Sequence, residues 1–404
     1  MMCSLLIFWT LGSNAQQAAF TDTLLLFEPN RDGYSIYHCP ALLVTKKGTI
    51  LAFAEGRYGK GKDHDEMDLV YRRSTNGGQS WENSKVLMPF TKGKPTSNIT
   101  PIADRNGTVH LIYQNNYSNV FYLKSIDEGK TWSKAKDITY AFDAFKSEYN
   151  WKVVAPGPGH AIQLRKGRLV VPAWLCIPNK NIPGGDHRPS CVVTVYSDDN
   201  GNTWKRGSII ANNGDIASNN SADSIFNPSE SVLIELADGR VMINMRNEAL
   251  ANRRVVAISP DGATNWTRPY FDNHLFEPVC QSSMVRFSGS NDDKTRILFA
   301  NPDSRNNSVS TRKSQKVYRP RENITVRMSY DEGNTWPVSK VLHEKGSGYS
   351  DLQVDSNGTI YALYEIRNGN DNDWVYRVVV RRFNLEWMTE GKDFISKRNS
   401  TAAK

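Results

Sequence analysis

The chain has 404 residues, with 50 Lys and Arg against 42 Asp and Glu and a formal charge of +8. Aromatic residues make up 10% of it, and 28 Gly and 18 Pro are spread along its length without any long apolar period of 3.6 residues. That pattern favours many short strands over helices. The positive excess suits an acidic sugar partner, although charge alone favours the simpler reading of an ordinary basic soluble surface, and no arginine-rich run interleaved with aromatics points to nucleic acid.

In chain order the first feature is the apolar run Leu5 to Leu11, too short to span a bilayer, followed by the small residues Ser13-Asn14-Ala15. It predicts a signal peptide over 1–15, cut before Gln16, and hence export to the periplasm, cell surface or medium, although no Lys or Arg precedes the run. The remainder, 16–404, is expected to form a single domain, since all-β propellers of this size do so. Beyond Cys3 there are four cysteines, Cys39, Cys176, Cys191 and Cys280, with no metal-ligand spacing. No metal or cofactor is expected, and only Cys176 and Cys191 lie close enough in sequence to suggest a bridge.

Two repeats organise the chain. The segments STNGGQSW (from Ser74), SIDEGKTW (Ser125), SDDNGNTW (Ser197) and SYDEGNTW (Ser329) share Ser-x-Asp/Asn-x-Gly-x-Thr/Ser-Trp, and SPDGATNW (Ser259) is a degenerate copy. The starts lie 51 to 72 residues apart, the length of one four-stranded propeller blade. Ser and Asp side chains bond backbone N–H groups across a tight turn, Gly supplies positive φ, and Trp fills the hairpin base, so these residues are read as structural. Between them recur turn-then-strand units: KKGTILAFAE, NGTVHLIYQ, KGRLVVPAW, DGRVMINMR, NGTIYALYE and the poorer KTRILFANP. Each alternates β-branched and aromatic residues as a half-buried strand does, and their number predicts an all-β, six-bladed β-propeller. Propellers bind ligands at the mouth of the central channel, where residues distant in sequence meet.

The repeated turns are Asp boxes, and the residues between them resemble the exo-sialidase (neuraminidase) family over about Tyr34 to Glu365. In the loop RYGKGKDHDEMDLVYRRS after Ala54-Glu55-Gly56-Arg57, Asp63 stands at the place of the acid/base aspartate, with Asp65 as its rival; Arg57 is a secondary substrate contact. In NPSESVLIELADGRVMINMRN, Glu230 matches the glutamate that partners the nucleophile and Arg246 the second arginine of a carboxylate clamp. In RPRENITVRMSYDEGNTW, Arg321 matches the third arginine, with Arg319 as the alternative. In GSGYSDLQVDSNGTIYALYE, Tyr349 matches the nucleophile and Glu365 the acid that braces the first arginine. That first arginine is missing: in Tyr37-His38-Cys39-Pro40, His38 takes its place and Cys39 replaces the usual isoleucine.

The chemistry that the resemblance implies is self-consistent. Cleaving a 2-keto sugar acid generates an oxocarbenium-like centre beside a carboxylate, which would repel an anionic nucleophile and tolerates a neutral phenol. Sialidases are accordingly the tyrosine exception among glycosidases that otherwise use two carboxylates. With an intrinsic pKa of about 10, Tyr349 needs Glu230 to withdraw its proton during attack. Asp63 would protonate the leaving oxygen and later activate water. Arginines hold a carboxylate through planar bidentate bonds that histidine cannot reproduce, so His38 is expected to be a pH-dependent, single-point substitute. The sequence therefore implies a retaining hydrolase of terminal α-linked sialic acid or a related 2-keto-3-deoxy sugar acid. Two alternatives stand beside it: an enzyme retuned to another acidic sugar, and a propeller that binds glycans without cleaving them.

Overall fold

The computed structural model describes residues 17–182, 184–219, 223–288, 294–310, 317–367 and 376–395; the expected signal peptide lies outside them. Within them the chain is almost entirely antiparallel sheet, with two five-residue α-helices at Thr139–Asp143 and Leu385–Thr389. No described helix is long and apolar enough to cross a membrane.

Four small sheets follow one another. The first runs Ile36–Val44, Ile50–Arg57, Met67–Ser74, Lys85–Met88, and the second Thr96–Ala103, Val109–Asn115, Asn119–Ser125, Lys136–Asp137. The third is Val153–Pro156, Leu169–Cys176, Ser190–Ser197, Lys205–Asn212, with Ile162–Gln163 added beside Leu169–Cys176. The fourth is Ser231–Glu235, Val241–Met245, Arg253–Ser259, Tyr270–Phe276. Apart from the two-residue pair Val309–Ser310 and Val317–Tyr318, the rest forms one seven-stranded path because the strand Val338–Val354 serves two sheets. Its first half pairs with Glu322–Ser329, and its second half pairs with Ile360–Arg367. Beyond the latter lie Tyr376–Phe383 and, from the other end of the chain, Thr21–Phe27.

Ile36–Val44 touches Thr96–Ala103, which touches Val153–Pro156 and Ile162–Gln163; Ile162–Gln163 and Leu169–Cys176 touch Ser231–Glu235, which touches Ser283–Arg286; and Val338–Val354 touches Ser283–Arg286 and returns to Ile36–Val44, which gives a propeller-like ring around a central channel. All six turn-then-strand units are strands, each second in its group. Their expected half-burial is corrected: Ile50–Arg57 and Leu169–Cys176 are buried at every position. Each sheet is covered on both faces by its neighbours, so both sets of alternating side chains enter cores such as Ile102, Leu175 and Trp204 on one side and Leu233, Ile243 and Met245 on another.

The Asp boxes fold as their residues dictate. In the Ser197 copy, the Ser197 hydroxyl donates to Asp199 and accepts from the Gly201 N–H (2.8 Å), while Asp199 accepts from the backbone and hydroxyl of Thr203 (2.8 and 2.7 Å). The same bonds recur at Ser125 and Ser329. The suggested Cys176–Cys191 bridge does not form; all four described cysteines are free and buried. Cys191 sits opposite Leu175, and Cys176 opposite Ser190, so the two thiols project from opposite faces of one sheet.

Candidate active site

At one mouth of the channel lies a cavity of about 570 Å³, lined by His38, Arg57, Asp63, Glu230, Arg246, Arg321 and Tyr349 among others. Seven of the eight residues singled out from the sequence thus line one cavity, and the eighth, Glu365, lies behind His38 and Tyr349, fully buried. None of the Asp-box aspartates lines it.

The centre is a three-membered unit. The Tyr349 hydroxyl donates a short hydrogen bond to Glu230 Oε1, and Arg246 Nη1 donates to Glu230 Oε2 (2.5 Å) and to the Tyr349 oxygen (2.9 Å). Tyr349 reaches this place from a register break between Ser347 and Ser350 in the strand Val338–Val354, while Glu230 and Arg246 come from the adjoining ends of two paired strands. Burial, then the Glu230 charge, push the Tyr349 phenol well above its usual pKa; Arg246 and Arg321 oppose them without prevailing. The phenol therefore keeps its proton at rest and has an acceptor in place to take it.

Arg321 stands over the Tyr349 ring, 5.4 Å from its centroid, anchored by one bond from Nη2 to the Val279 carbonyl (2.7 Å). Arg319 does not line the cavity and instead bonds the Glu248 carbonyl (3.1 Å), so Arg321 is the one that faces the ligand space. Asp63 likewise separates from its rival. Asp65 caps its own loop by accepting the Lys62 N–H (2.9 Å), whereas Asp63 lines the cavity with its side chain 49% exposed. Burial opposes ionisation of Asp63, but Arg57, followed by the His38 and His187 rings, outweighs it and lowers the carboxyl to about 2.

Arg57 turns out to be heavily engaged. It bonds Glu55 through Nε (3.1 Å) and Nη2 (2.6 Å), and it bonds the Gly61 carbonyl (2.6 Å) and Asp63 (3.2 Å) through Nη1. It ties the Asp63 loop to the sheet and is only 1% exposed. Glu55 was not singled out from the sequence, yet its position two residues before Arg57 on one face of a strand was the available clue.

His38 owes its orientation to a bulge. The pairing register breaks between His38 and Ala41, and Cys39 adopts φ 50°, a left-handed conformation rare for a non-glycine residue. His38 Nδ1 lies 2.6 Å from Glu365 Oε1, the same oxygen accepts the Cys39 N–H (3.0 Å), and Glu365 Oε2 accepts the Tyr349 N–H (2.8 Å). A carboxylate can only accept, so Nδ1 carries a proton and Nε2 is the atom left to address the cavity. The neutral ring then offers an acceptor there, and only the imidazolium offers a donor. The ring stacks on Tyr376 (5.2 Å between centroids, 7° between planes), another wall residue without a sequence motif to mark it. Gly348 makes the arrangement possible: a Cβ there would come within 2.1 Å of Glu365 Oε2.

The rim beside Asp63 also escaped the sequence reading. The loop after Leu169–Cys176 brings His187 and Arg188 to the cavity, with Arg188 bonded to Glu248 (2.7 to 3.0 Å) and His187 beside Asp63. Among the described residues no group of three His, Cys, Asp or Glu is arranged to hold a metal.

The BNR repeat-like domain model matches residues 48–362. Over 395 residues the chain is 30% identical to the sialidase of Micromonospora viridifaciens, covering 89% of this chain and 53% of that one. It is 29% identical over 412 residues to the exo-alpha-sialidase of Arthroderma benhamiae, covering 89% and 86%. The chain thus spans about half the length of the bacterial relative and most of the fungal one. Among solved structures it shares the fold of the Hadza microbial sialidase Hz136, with a TM-score of 0.70, 23% identity, and coverage of 90% of this chain and 68% of that one. By its BNR-type repeats, its fold and these relatives, the chain belongs to the sialidase superfamily.

Proposed function

We propose that the protein is a retaining exo-glycosidase of sialidase type, releasing a terminal α-linked sialic acid or related 2-keto-3-deoxy sugar acid with Tyr349 as nucleophile. The observation that carries this reading is the Tyr349 hydroxyl's bond to Glu230, itself held by Arg246. In this mechanism Glu230 takes the phenol proton as the oxygen attacks the anomeric carbon, which avoids bringing an anion against the substrate carboxylate. Arg246 and Arg321 receive that carboxylate, Asp63 protonates the departing oxygen, and Asp63 then deprotonates the water that releases the sugar. Names of the relatives support the substrate class.

His38 favours a second reading, an enzyme retuned to another acidic sugar, because its one available nitrogen cannot complete a three-arginine clamp. A panel of aryl glycosides of sialic acid, deaminated sialic acid, octulosonic acid and uronic acids separates the two, with the anomer first released read by NMR. Release of the α-anomer of a 2-keto sugar acid supports the proposal, and release of uronic acid alone replaces it. Binding to the panel without turnover would assign a non-catalytic lectin-like role.

We also infer six blades. The seven-stranded path divides at Val338–Val354 into two groups of four that share that strand, and with the four separate sheets these make six. Export remains a proposal resting on residues 1–15, to be read by N-terminal sequencing of the mature protein.

A further inference from the structure

Asp63 poses a problem for the mechanism just given, on which this inference rests. A general acid must carry a proton when the leaving oxygen needs one, yet Arg57 lies 3.2 Å from Asp63 Oδ1 and favours the bare carboxylate. Asp63 alone is a poor store for that proton. The other carboxylate oxygen, Oδ2, faces His187 Nδ1 at 3.8 Å, just beyond hydrogen-bond length.

His187 is held there firmly. It ends the short turn Gly185–His187, where a Cβ on Gly185 would strike the Asn179 carbonyl oxygen at 1.7 Å, so only glycine allows the loop to close this tightly. The Asn179 N–H bonds both the Gly185 and Arg188 carbonyls (2.9 Å each), and Arg188 is clamped by Glu248. Three aromatic rings surround the imidazole: Tyr117 at 5.0 Å, Trp174 at 5.2 Å and His64 at 5.7 Å between centroids. The charged and titratable groups facing it are Asp63 and His64 from the loop after Ile50–Arg57, Asp186 from its own turn, Glu230 across the cavity and the Tyr117 phenol. Its Nε2 is enclosed with no hydrogen-bond partner among the described residues.

We propose that His187 is the proton store and positioning residue of Asp63, the two sharing one proton during catalysis. The imidazolium gives its Nδ1 proton to Asp63 Oδ2, Asp63 gives a proton to the glycosidic oxygen, and the aglycone leaves as a neutral alcohol. In the second half-reaction Asp63 takes a proton from the attacking water, and the pair is again singly protonated. The environment suits this task. Burial in the aromatic pocket lowers the imidazole's basicity, with Asp63 opposing, and an enclosed Nε2–H without a partner makes the charged ring surrender its proton readily.

Two measurements test it, one of which needs no turnover. Imidazole 15N–1H NMR, with the His187 signals assigned through His187→Gln, follows its titration in the wild type and in Asp63→Asn. The midpoint should move to lower pH once the carboxylate is gone, and an unchanged midpoint overturns the pairing whether or not the protein is a sialidase. The second measurement compares pH–rate profiles of His187→Gln on an aryl α-sialoside and on α-sialyl-lactose. Loss of about 100-fold on the lactoside, with little loss on the activated aryl substrate and removal of one limb of the lactoside profile, is expected. Equal losses on both substrates with an unshifted profile would mean that His187 merely shapes the loop. Failure of the wild type on every glycoside would sink the proposed function instead and leave the NMR result to decide the pairing.

Discussion

Tyr349 and Glu230 are the two side chains whose loss the mechanism cannot absorb. Tyr349→Phe removes the nucleophilic oxygen and Glu230→Gln removes the base, so each should lower kcat by at least 10³-fold while the circular dichroism spectrum stays that of the wild type. Near-normal turnover in Tyr349→Phe would end the nucleophile assignment. His38 carries a prediction of different form. With Nδ1 committed to Glu365, it offers the cavity a single nitrogen, Nε2, where an arginine would offer a planar pair of donors. His38→Arg should therefore lower KM for a 2-keto sugar acid, and a KM untouched by both His38→Arg and His38→Gln would remove His38 from substrate binding. These residues were legible because each sits in a short motif with fixed flanks. His187 and Tyr376 were not, since a loop and a ring stack place them and neither leaves a pattern in the local sequence, while Glu55 was marked only by its two-residue spacing from Arg57.

Strands and turns follow the same division between what a pattern states and what packing adds. The Asp boxes could be read outright because their chemistry is local: a carboxylate, a hydroxyl, a glycine and the N–H groups between them. Those hydrogen bonds, aided by little else at so exposed a turn, lower the Asp199 carboxyl to about 2. The folded-state value lies below the unfolded one of about 3.9, so the turn favours the native state fully above that pH, and its contribution shrinks as pH falls through 3.9 and is gone only below 2. Asp199→Ala should cost about 1 kcal/mol at neutral pH by urea unfolding and well under half of that near pH 2; an equal cost at both would show that the aspartate acts through something other than its charge. The bulges at His38–Ala41 and Ser347–Ser350 were illegible by comparison. Both turn a site residue toward the channel by interrupting a strand whose residue pattern continues unbroken, and the cause lies on another strand, in the carboxylate of Glu365 that receives the N–H groups they release. The Cys176–Cys191 suggestion failed for a related reason. Distance along the chain is short, but pairing register, which the sequence does not display, sends the thiols to opposite faces.

A ring of sheets must close, and it must also be fixed about its axis. Closure joins the two ends of the described chain, Thr21–Phe27 lying antiparallel on Tyr376–Phe383. Along the axis a fully buried carboxylate, Asp351, gathers three groups from two other places in the ring: the Leu42 N–H (2.8 Å), the His160 N–H (2.9 Å) and His160 Nδ1 (2.6 Å). Gln281 adds to it by accepting the Ser350 N–H (3.0 Å) and donating to the Pro158 carbonyl (3.4 Å). These contacts lie two residues along the strand from Tyr349, so the tie that holds the sheets in place also fixes the depth of the nucleophile in the cavity. Replacing Asp351 by Ala strands two buried N–H groups and one imidazole nitrogen, a loss of about 3–5 kcal/mol. Because the stranded groups belong to different sheets, the unfolding should stay a single transition whose midpoint falls, as opposed to one sheet melting ahead of the others. Asp351→Asn keeps one oxygen acceptor and should lose less, yet its amide cannot accept where Oδ2 now receives both backbone N–H groups unless it turns and gives up His160. Thermal unfolding of the two variants, followed by tryptophan fluorescence and by circular dichroism, distinguishes the possibilities. Coincident curves shifted in the order wild type, Asn, Ala support the axial tie, whereas an unshifted Ala variant, or two transitions in place of one, would show that the ring is held by sheet-to-sheet packing alone.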